Sequence, residues 1–424
     1  MAVAQDRLII FTRLPQAGKS KTRLIPALGE AGAAAFHDRL ARHTVGRASA
    51  FAACRKGLDL ELRVSGGTTM DGRAWLGDAS WKIQADGGLG EKLLEAVSSA
   101  FEEGASKVVV IGTDCPSLDE SGLETAFDEL DRHEAVVGPA KDGGYYLIGM
   151  RSLHERLFES IPWGGSEVFA RTMERAVAIG LSMGILPSLP DVDIPEDLPA
   201  AEAALDAGER VSVIIPTLNE GDFIEETLVL VNEGEPYEVL VADGGSKDQT
   251  VPLAKAGGAR VFSGKRGRGP QMNLAAAEAK GEFLFFLHAD SLPPDGYVDS
   301  IRRMLNRPEV SAGSFRLGLR GELGAASLIE TLVDLRCRYL SWPYGDQGIF
   351  LRRSVFQSLG GFPEETLLED VGLISELRRV GRIELAPERV LSSDRRWQDQ
   401  GLVRSFLRHQ ILLASHALGL SFGR

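Results

Sequence analysis

Short apolar runs rich in Val, Ile, Leu and Phe alternate with helix-period segments along the whole of this 424-residue chain, and that alternation constrains the fold more than any other feature. A chain patterned this way packs helices against mostly parallel sheets, which defines the α/β class. In the first half the strand-like runs are RLIIFTR, LELRVSG, WKIQAD, KVVVIGTD, AVVGP and YYLIGM, with LGEKLLEAVSSAFEEG and LDESGLETAFDELDRH as helices between them. In the second half they are RVSVIIPT, YEVLVAD, ARVFSG and EFLFFLHAD. Between the halves lies PEDLPAAEAALDAGER, a Pro-started, Ala-rich helix ending near Gly208, so two tandem domains are expected at 1–208 and 209–424.

The halves echo each other. KVVVIGTDCPSL and EFLFFLHADSLPP are each a buried strand ending in Asp and a small residue, with Pro one or two positions further on. Ligands on open α/β sheets gather at the carboxyl ends of strands, which is where Asp114 and Asp290 fall.

Charge narrows the partners. Lys plus Arg number 47 against 60 Asp plus Glu, a net −13, which leaves no electrostatic footprint for nucleic acid. Residues 1–208 carry 21 basic and 31 acidic side chains, and residues 209–424 carry 26 and 29, so the second half is the better home for an anionic ligand. Cys54, Cys115 and Cys337 are too scattered for a disulfide framework or a C-x-x-C metal site, which points to a reducing cytoplasm. The N-terminal apolar run between Arg7 and Arg13 is too short for a signal peptide core, and no run of 18 apolar residues exists to span a bilayer. The C-terminal stretch LVRSFLRHQILLASHALGLSFGR reads as an apolar helix packed on its own domain, with peripheral contact at the inner membrane surface as the alternative if the acceptor is a lipid.

In the second half three polar turns follow three strands: Pro216-Thr217-Leu218-Asn219-Glu220, then Asp243-Gly244-Gly245-Ser246, then His288-Ala289-Asp290. Asp243 can accept hydrogen bonds from a base or ribose, and Asp290 offers a hard oxygen for Mg²⁺ or Mn²⁺ on a diphosphate. Further on, Arg260, Lys265, Arg266 and Arg268 crowd a Gly-rich turn, and Glu369-Asp370 opens a helix in LLEDVGL.

Over residues 210–400 these motifs, with RGRGPQMNLAAAEAKGE and GDQGIFLRRSVFQSLGGF, resemble the family 2 inverting glycosyltransferases with their GT-A fold. More narrowly the region is similar to the radical-SAM/selenodomain-associated transferase 2 branch, also called arsenosugar biosynthesis glycosyltransferase. The resemblance implies a donor site at Pro216, Thr217, Asn219, Glu220, Asp243, Arg268, Asn273 and Asp290, with Asp290 holding the metal. His288 stands where the first Asp of D-x-D usually falls and is an outer partner at most. Asp370, beside Glu369, becomes the general base for the acceptor hydroxyl. Asp346, Gln347, Arg396 and Trp397 become acceptor or diphosphate contacts. The full basic-aromatic motif of processive members is absent, which implies single transfer.

In the first half Gln16-Ala17-Gly18-Lys19-Ser20 suggests a phosphate loop, but the first Gly of G-x-x-x-x-G-K would fall on Arg13, so that reading is rejected. What remains is a basic hook of Arg13, Lys19, Lys21 and Arg23, with Asp142 in KDGGYYLIG. Residues 7–200 resemble the transferase 1 branch of the same associated pair, itself similar to GT-A nucleotidyltransferases such as the 2-phospholactate guanylyltransferases. That resemblance implies a divalent ion between Asp114 and Asp193, although Asp193 can equally cap the helix begun at Pro195. The first loop lacks the doubled glycine of that group.

The combined expectation is two tandem GT-A-like, Rossmann-like domains. The second moves a sugar from a nucleotide diphosphate sugar to a small-molecule or lipid acceptor, and the first binds or makes the activated donor. The alternative is a single glycosyltransferase whose first domain is an inactive scaffold or acceptor-docking module.

Overall fold

The computed structural model describes residues 5–320, 326–363 and 369–393. The chain divides into two compact units, Met1–Glu209 with Asn306–Glu309, and Arg210–Leu305 with Val310–Arg424.

In the first unit, β1 (Asp6–Arg13), β2 (Leu58–Ser65), β3 (Ser80–Ile83), β4 (Val108–Ile111), β5 (Ala135–Pro139), β6 (Tyr145–Met150) and β7 (Met183–Ile185) form one sheet in the order β3-β2-β1-β4-β6-β5-β7. β1 lies parallel to β2 and β4, while β6 runs antiparallel to β4 and β5. Helices cover both faces, so the central strands read as unbroken apolar runs, and every residue of Val108–Ile111 is buried. The helix Leu89–Glu102 packs Leu93, Ala96, Val97 and Ala100 against Val108 and Val110, at the spacing of one helical face. Its start is fixed by Glu91, whose carboxylate accepts the Gly88 N–H at 2.7 Å. The helix Glu120–Arg132, capped by Asp119, packs Leu123, Ala126, Phe127 and Leu130 on the opposite face with Val109 and Ile111.

The second unit repeats this plan. Its strands are β8 (Val211–Thr217), β9 (Glu238–Asp243), β10 (Arg260–Ser263), β11 (Phe283–Phe286), β12 (Ser291–Leu292), β13 (Val310–Arg320), β14 (Ile349–Arg352) and β15 (Arg382–Ser393). Their order is β10-β9-β8-β11-β14-β13-β15-β12. With the two-residue β12 set aside, the order matches the first sheet strand for strand, including an antiparallel strand beside the fourth. The echo between KVVVIGTDCPSL and EFLFFLHADSLPP therefore marks one topological position, since β4 and β11 each pair in parallel with the first strand of their unit. An aromatic cluster fills this unit's core, with the Phe285 ring centroid 5.3 Å from Tyr297 and 5.6 Å from Phe315.

No helix among the described residues is long and apolar enough to cross a membrane. Arg396, Trp397 and the apolar C-terminal stretch lie outside the described residues.

Candidate functional site

The strand ends of the first unit open into a cavity of about 630 Å³ lined by Arg13, Lys19, Lys21, Arg23, Asp114, Asp142, Asp191 and Asp193, among others. The basic hook and the three acidic residues expected in this half, Asp114, Asp142 and Asp193, thus line one cavity. Backbone bonds do the gathering. Val192 N–H donates to Asp114 O at 3.0 Å, Lys141 N–H donates to Leu189 O at 3.1 Å, and the Cys115 thiol donates to Pro190 O at 3.0 Å. The segment 189–193 is thereby laced to the ends of β4 and β5, and the turn carrying Asp142 comes with it.

Several charged side chains of the cavity are already engaged with one another. Lys21 is not a free phosphate hook. Its backbone is left-handed (φ 47°), and its Nζ donates to Val192 O and lies 2.9 Å from Asp114 and 3.5 Å from Asp193, with the side chain only 7% exposed. The Asp114–Asp193 pair expected to clamp a divalent ion is therefore already bridged by an ammonium group. Carboxylate oxygens of Asp142, Asp191 and Asp193 lie within 4.8 Å of one another, a spacing that suits a hard cation. Burial, then the charges of Asp142, Asp193 and Asp197, push the Asp191 carboxyl up to about 6. Nor does Asp193 cap the following helix: Asp197 accepts the N–H groups of Asp193 and Ile194 at 2.9 and 3.0 Å. Arg23 reaches Asp193 at 2.9 Å with its side chain 68% exposed, and Arg13 donates to Lys19 O at 3.2 Å. Burial first, with Asp191, Asp114 and Asp142 adding to it, raises the Cys115 thiol to about 12, which leaves it inert as a nucleophile.

In the second unit, the loops after β8 and β9 are zipped together. Asn219, left-handed at φ 55°, donates its N–H to Ser246 Oγ at 2.8 Å and accepts the Lys247 N–H at 2.8 Å. Glu220 N–H donates to Thr250 Oγ1 at 2.8 Å. Pro216 and Thr217 are the buried last residues of β8. Asp243 is 3% exposed, and its carboxylate accepts from Gly245 N, Ser246 N, Ser246 Oγ and Thr217 Oγ1. It shapes its own loop, contrary to the expected free acceptor for a base or ribose. Asn273 is similarly occupied: its amide donates to Phe362 O and accepts Phe362 N–H, both at 2.8 Å, so it pins that turn instead of facing a donor. Gln347 is fully buried, accepting from Arg336 and Tyr344 N and donating to Phe315 O, which removes it from the acceptor contacts. Arg268, Lys265 and Arg266 remain exposed at the start of the helix Arg268–Ala277, whereas Arg260 pairs with Glu238 at 2.6 Å.

Three motifs meet around Gly345. Its N–H donates to Asp370 Oδ2 at 2.9 Å, and a Cβ placed on it would stand 3.0 Å from His288 Nε2 and 3.6 Å from Asp370 Oδ2. The strand end bearing His288 and Asp290, the Gly345-Asp346 turn and the first turn of the helix Glu369–Val380 thus share one crevice. Asp290, Asp346 and Asp370 are partly buried there, and Glu369 is 8% exposed. One residue sequence reasoning left without a role is Gln271, 3% exposed, whose Nε2 donates to Thr217 O and Ala242 O at 2.8 and 2.7 Å. It lies in the RGRGPQMN stretch, but that pattern gives it no role, because its bonds join residues far apart in sequence.

The two α/β units thus share one strand order, and each sets carboxylates at its strand ends. Residues 212–357 match the model described as Glycosyl transferase family 2, and residues 50–165 match Uncharacterized protein conserved in bacteria (DUF2064). The DUF2064 match falls within the first unit, and the family 2 match falls largely within the second. Among curated relatives, the O-antigen chain rhamnosyltransferase RfbN of Salmonella typhimurium is 27% identical over 202 residues, 41% of this chain and 62% of that protein. Glucosyl-3-phosphoglycerate synthase of Mycolicibacterium smegmatis is 33% identical over 111 residues, 23% of this chain and 35% of that one. This chain therefore spans less than two thirds of either relative. A putative nucleotide-diphospho-sugar transferase from Desulfovibrio desulfuricans G20 is 27% identical, covering 48% of this chain and 98% of that chain with a TM-score of 0.43. Glucosyl-3-phosphoglycerate synthase from Mycobacterium tuberculosis, solved with Mn²⁺, UDP and glucosyl-3-phosphoglycerate, is 24% identical, covering 51% and 83% with a TM-score of 0.40.

Proposed function

We propose that the second unit transfers a sugar with inversion from a nucleotide diphosphate sugar to an acceptor hydroxyl, and that the first unit binds the phosphates of a nucleotide or nucleotide sugar beside a divalent ion. The observation that carries the first part is the meeting of His288, Gly345 and Asp370. It sets a carboxylate, oriented by a main-chain N–H, in the crevice that also holds the Asp290 strand end. A single base opposite a leaving diphosphate is what one-step inversion requires. Asp370 removes the hydroxyl proton as the acceptor oxygen attacks the anomeric carbon, and the diphosphate departs on the far side. Exposed Lys265, Arg266 and Arg268 offer charge-assisted bonds to phosphate oxygens. A Mg²⁺ or Mn²⁺ ion on Asp290 would neutralise charge developing on the diphosphate.

For the first unit, the charged lining of the cavity supports ligand binding over an inert scaffold. Asp142, Asp191 and Asp193 would hold the ion there, and Arg13, Lys19 and Arg23 the phosphates. Cys54, Cys115 and Cys337 are in no disulfide, which suits a reducing cytoplasm. The narrower reading as an arsenosugar-type transferase rests on the sequence resemblance alone.

The test is a melting screen of the intact chain against nucleotide diphosphate sugars with and without Mn²⁺, repeated with Asp290→Asn. A ligand that binds only the native state raises the melting temperature. The variant is expected to lose the metal-dependent shift and to turn over donor on the order of a hundredfold more slowly. Metal-independent turnover unchanged by Asp290→Asn would overturn the assignment.

A further inference from the structure

Gln84 and Gln271 make the same pair of bonds in the two units. Gln84 Nε2 donates to Thr12 O at 2.9 Å and Arg63 O at 3.1 Å, and Gln271 Nε2 donates to Thr217 O and Ala242 O. Thr12 stands opposite Val64 across β1 and β2, and Thr217 stands opposite Asp243 across β8 and β9. In each unit the amide therefore grips a first-strand carbonyl and the carbonyl one residue before its partner on the second strand. The glutamines come from different elements: Gln84 directly follows β3, whereas Gln271 lies within the helix Arg268–Ala277.

The two side chains differ at the other end of the amide. Gln271 Oε1 accepts the Gly267 N–H at 3.2 Å. Gln84 Oε1 takes no hydrogen bond among the described residues, and Gln84 lines the cavity of the first unit. Its orientation is fixed, because turning the amide over would set Oε1 against two carbonyl oxygens. The cavity is thus presented with a rigid acceptor that folding leaves unused. Phe11, Leu89 and Leu93 line the same cavity, with Leu89 46% exposed, giving an apolar surface suited to a planar ring more than to a hydrated sugar.

We infer that Gln84 reads the base of a nucleotide in the first unit, its Oε1 accepting a base N–H in the place that the Gly267 N–H fills beside Gln271. This rests on the reading of the cavity as a nucleotide site and adds which residue recognises the base. The phosphates then extend toward Arg13, Lys19 and Arg23.

The experiment is calorimetric titration of the intact chain with GTP, UTP, ATP, CTP and inorganic tripolyphosphate in Mn²⁺. It is repeated with Gln84→Met and with the tightest nucleotide methylated at its base N–H. One neutral hydrogen bond corresponds to about threefold to tenfold in affinity. Gln84→Met is expected to weaken the preferred nucleotide by that factor and leave tripolyphosphate unchanged. The methylated nucleotide, which leaves the protein untouched, is expected to lose the same factor on the wild type and nothing further on Gln84→Met. Equal affinity of the wild type for the methylated and unmethylated nucleotide overturns the role of Gln84 while preserving the nucleotide site. Failure of every nucleotide to bind the wild type overturns that site and the inference with it.

Discussion

Asp370 receives the Gly345 N–H on Oδ2 and the Val371 N–H on Oδ1, each at 2.9 Å, so both oxygens are oriented by main chain. A carboxylate held by backbone amides keeps its geometry when its neighbours' side chains change. Asp370→Asn preserves shape and removes proton affinity. Transfer is expected to fall by roughly a hundredfold to ten-thousandfold while donor affinity stays level. Measuring the donor Kd by titration alongside single-turnover transfer decides the point, and a parallel loss of binding would mark Asp370 as structural.

Lys21 bridges Asp114 and Asp193, and an ammonium in that position screens carboxylates that would otherwise repel. With Lys21→Met that screening is gone, and an added cation takes over part of it. The rise in melting temperature produced by Mn²⁺ is expected to be larger in Lys21→Met than in the wild type. A smaller or equal rise would show that Lys21 and the ion do not share the same carboxylates.

Gln347 accepts from Arg336 and Tyr344 N and donates to Phe315 O in a fully buried position. Gln347→Leu strands those partners, at about 1–3 kcal/mol for each buried group left unsatisfied. Scanning calorimetry should show a melting temperature lower by several degrees. Residual enzyme at low temperature should keep its acceptor KM. A raised acceptor KM with unchanged melting would restore Gln347 to the acceptor contacts.

Glu238 supplies the pH dependence. Burial raises its carboxyl, but hydrogen bonds from Lys280 N, Ser212 Oγ and Arg260 together outweigh burial and hold it below its ordinary value of 4.5. A group depressed in the folded state stabilises fully above its unfolded pKa, and that contribution fades as pH falls through the folded pKa. Chemical denaturation of Glu238→Gln below pH 4.5 should therefore show a shallower acid-side loss of stability than the wild type. Identical slopes would remove Glu238 from the acid-sensitive set.

The parallel strands were legible in the sequence because burial on both faces leaves runs such as Val108–Ile111 wholly apolar. β13 and β15 were not, since their arginines and glutamates interrupt the run: Arg316 pairs with Asp334 and Arg389 with Glu330, so charge hides a strand. The three residues of β7 gave no periodicity to read. At the sites, motif position indicated which residues reach the strand ends but not which atoms are already satisfied. Asp243, Asn273 and Lys21 all carry suitable chemistry, and each is engaged by partners that only the folded chain brings near. Asp191 shows the converse: it stood beside Asp193 in the sequence, and the turn carrying Asp142 makes the pair a trio.

The lacing of residues 189–193 to Asp114 and Lys141 has a consequence for how the first unit meets a ligand. Acidic turns at a cavity mouth often order only on binding, and the lost freedom then weakens affinity. Here the main-chain bonds of Val192 and Lys141 fasten the turn when the sheet forms, so association carries little conformational loss. In ligand-free protein the amides of Val192 and Lys141 should exchange with deuterated solvent as slowly as those of β4, despite standing at the rim of an open cavity.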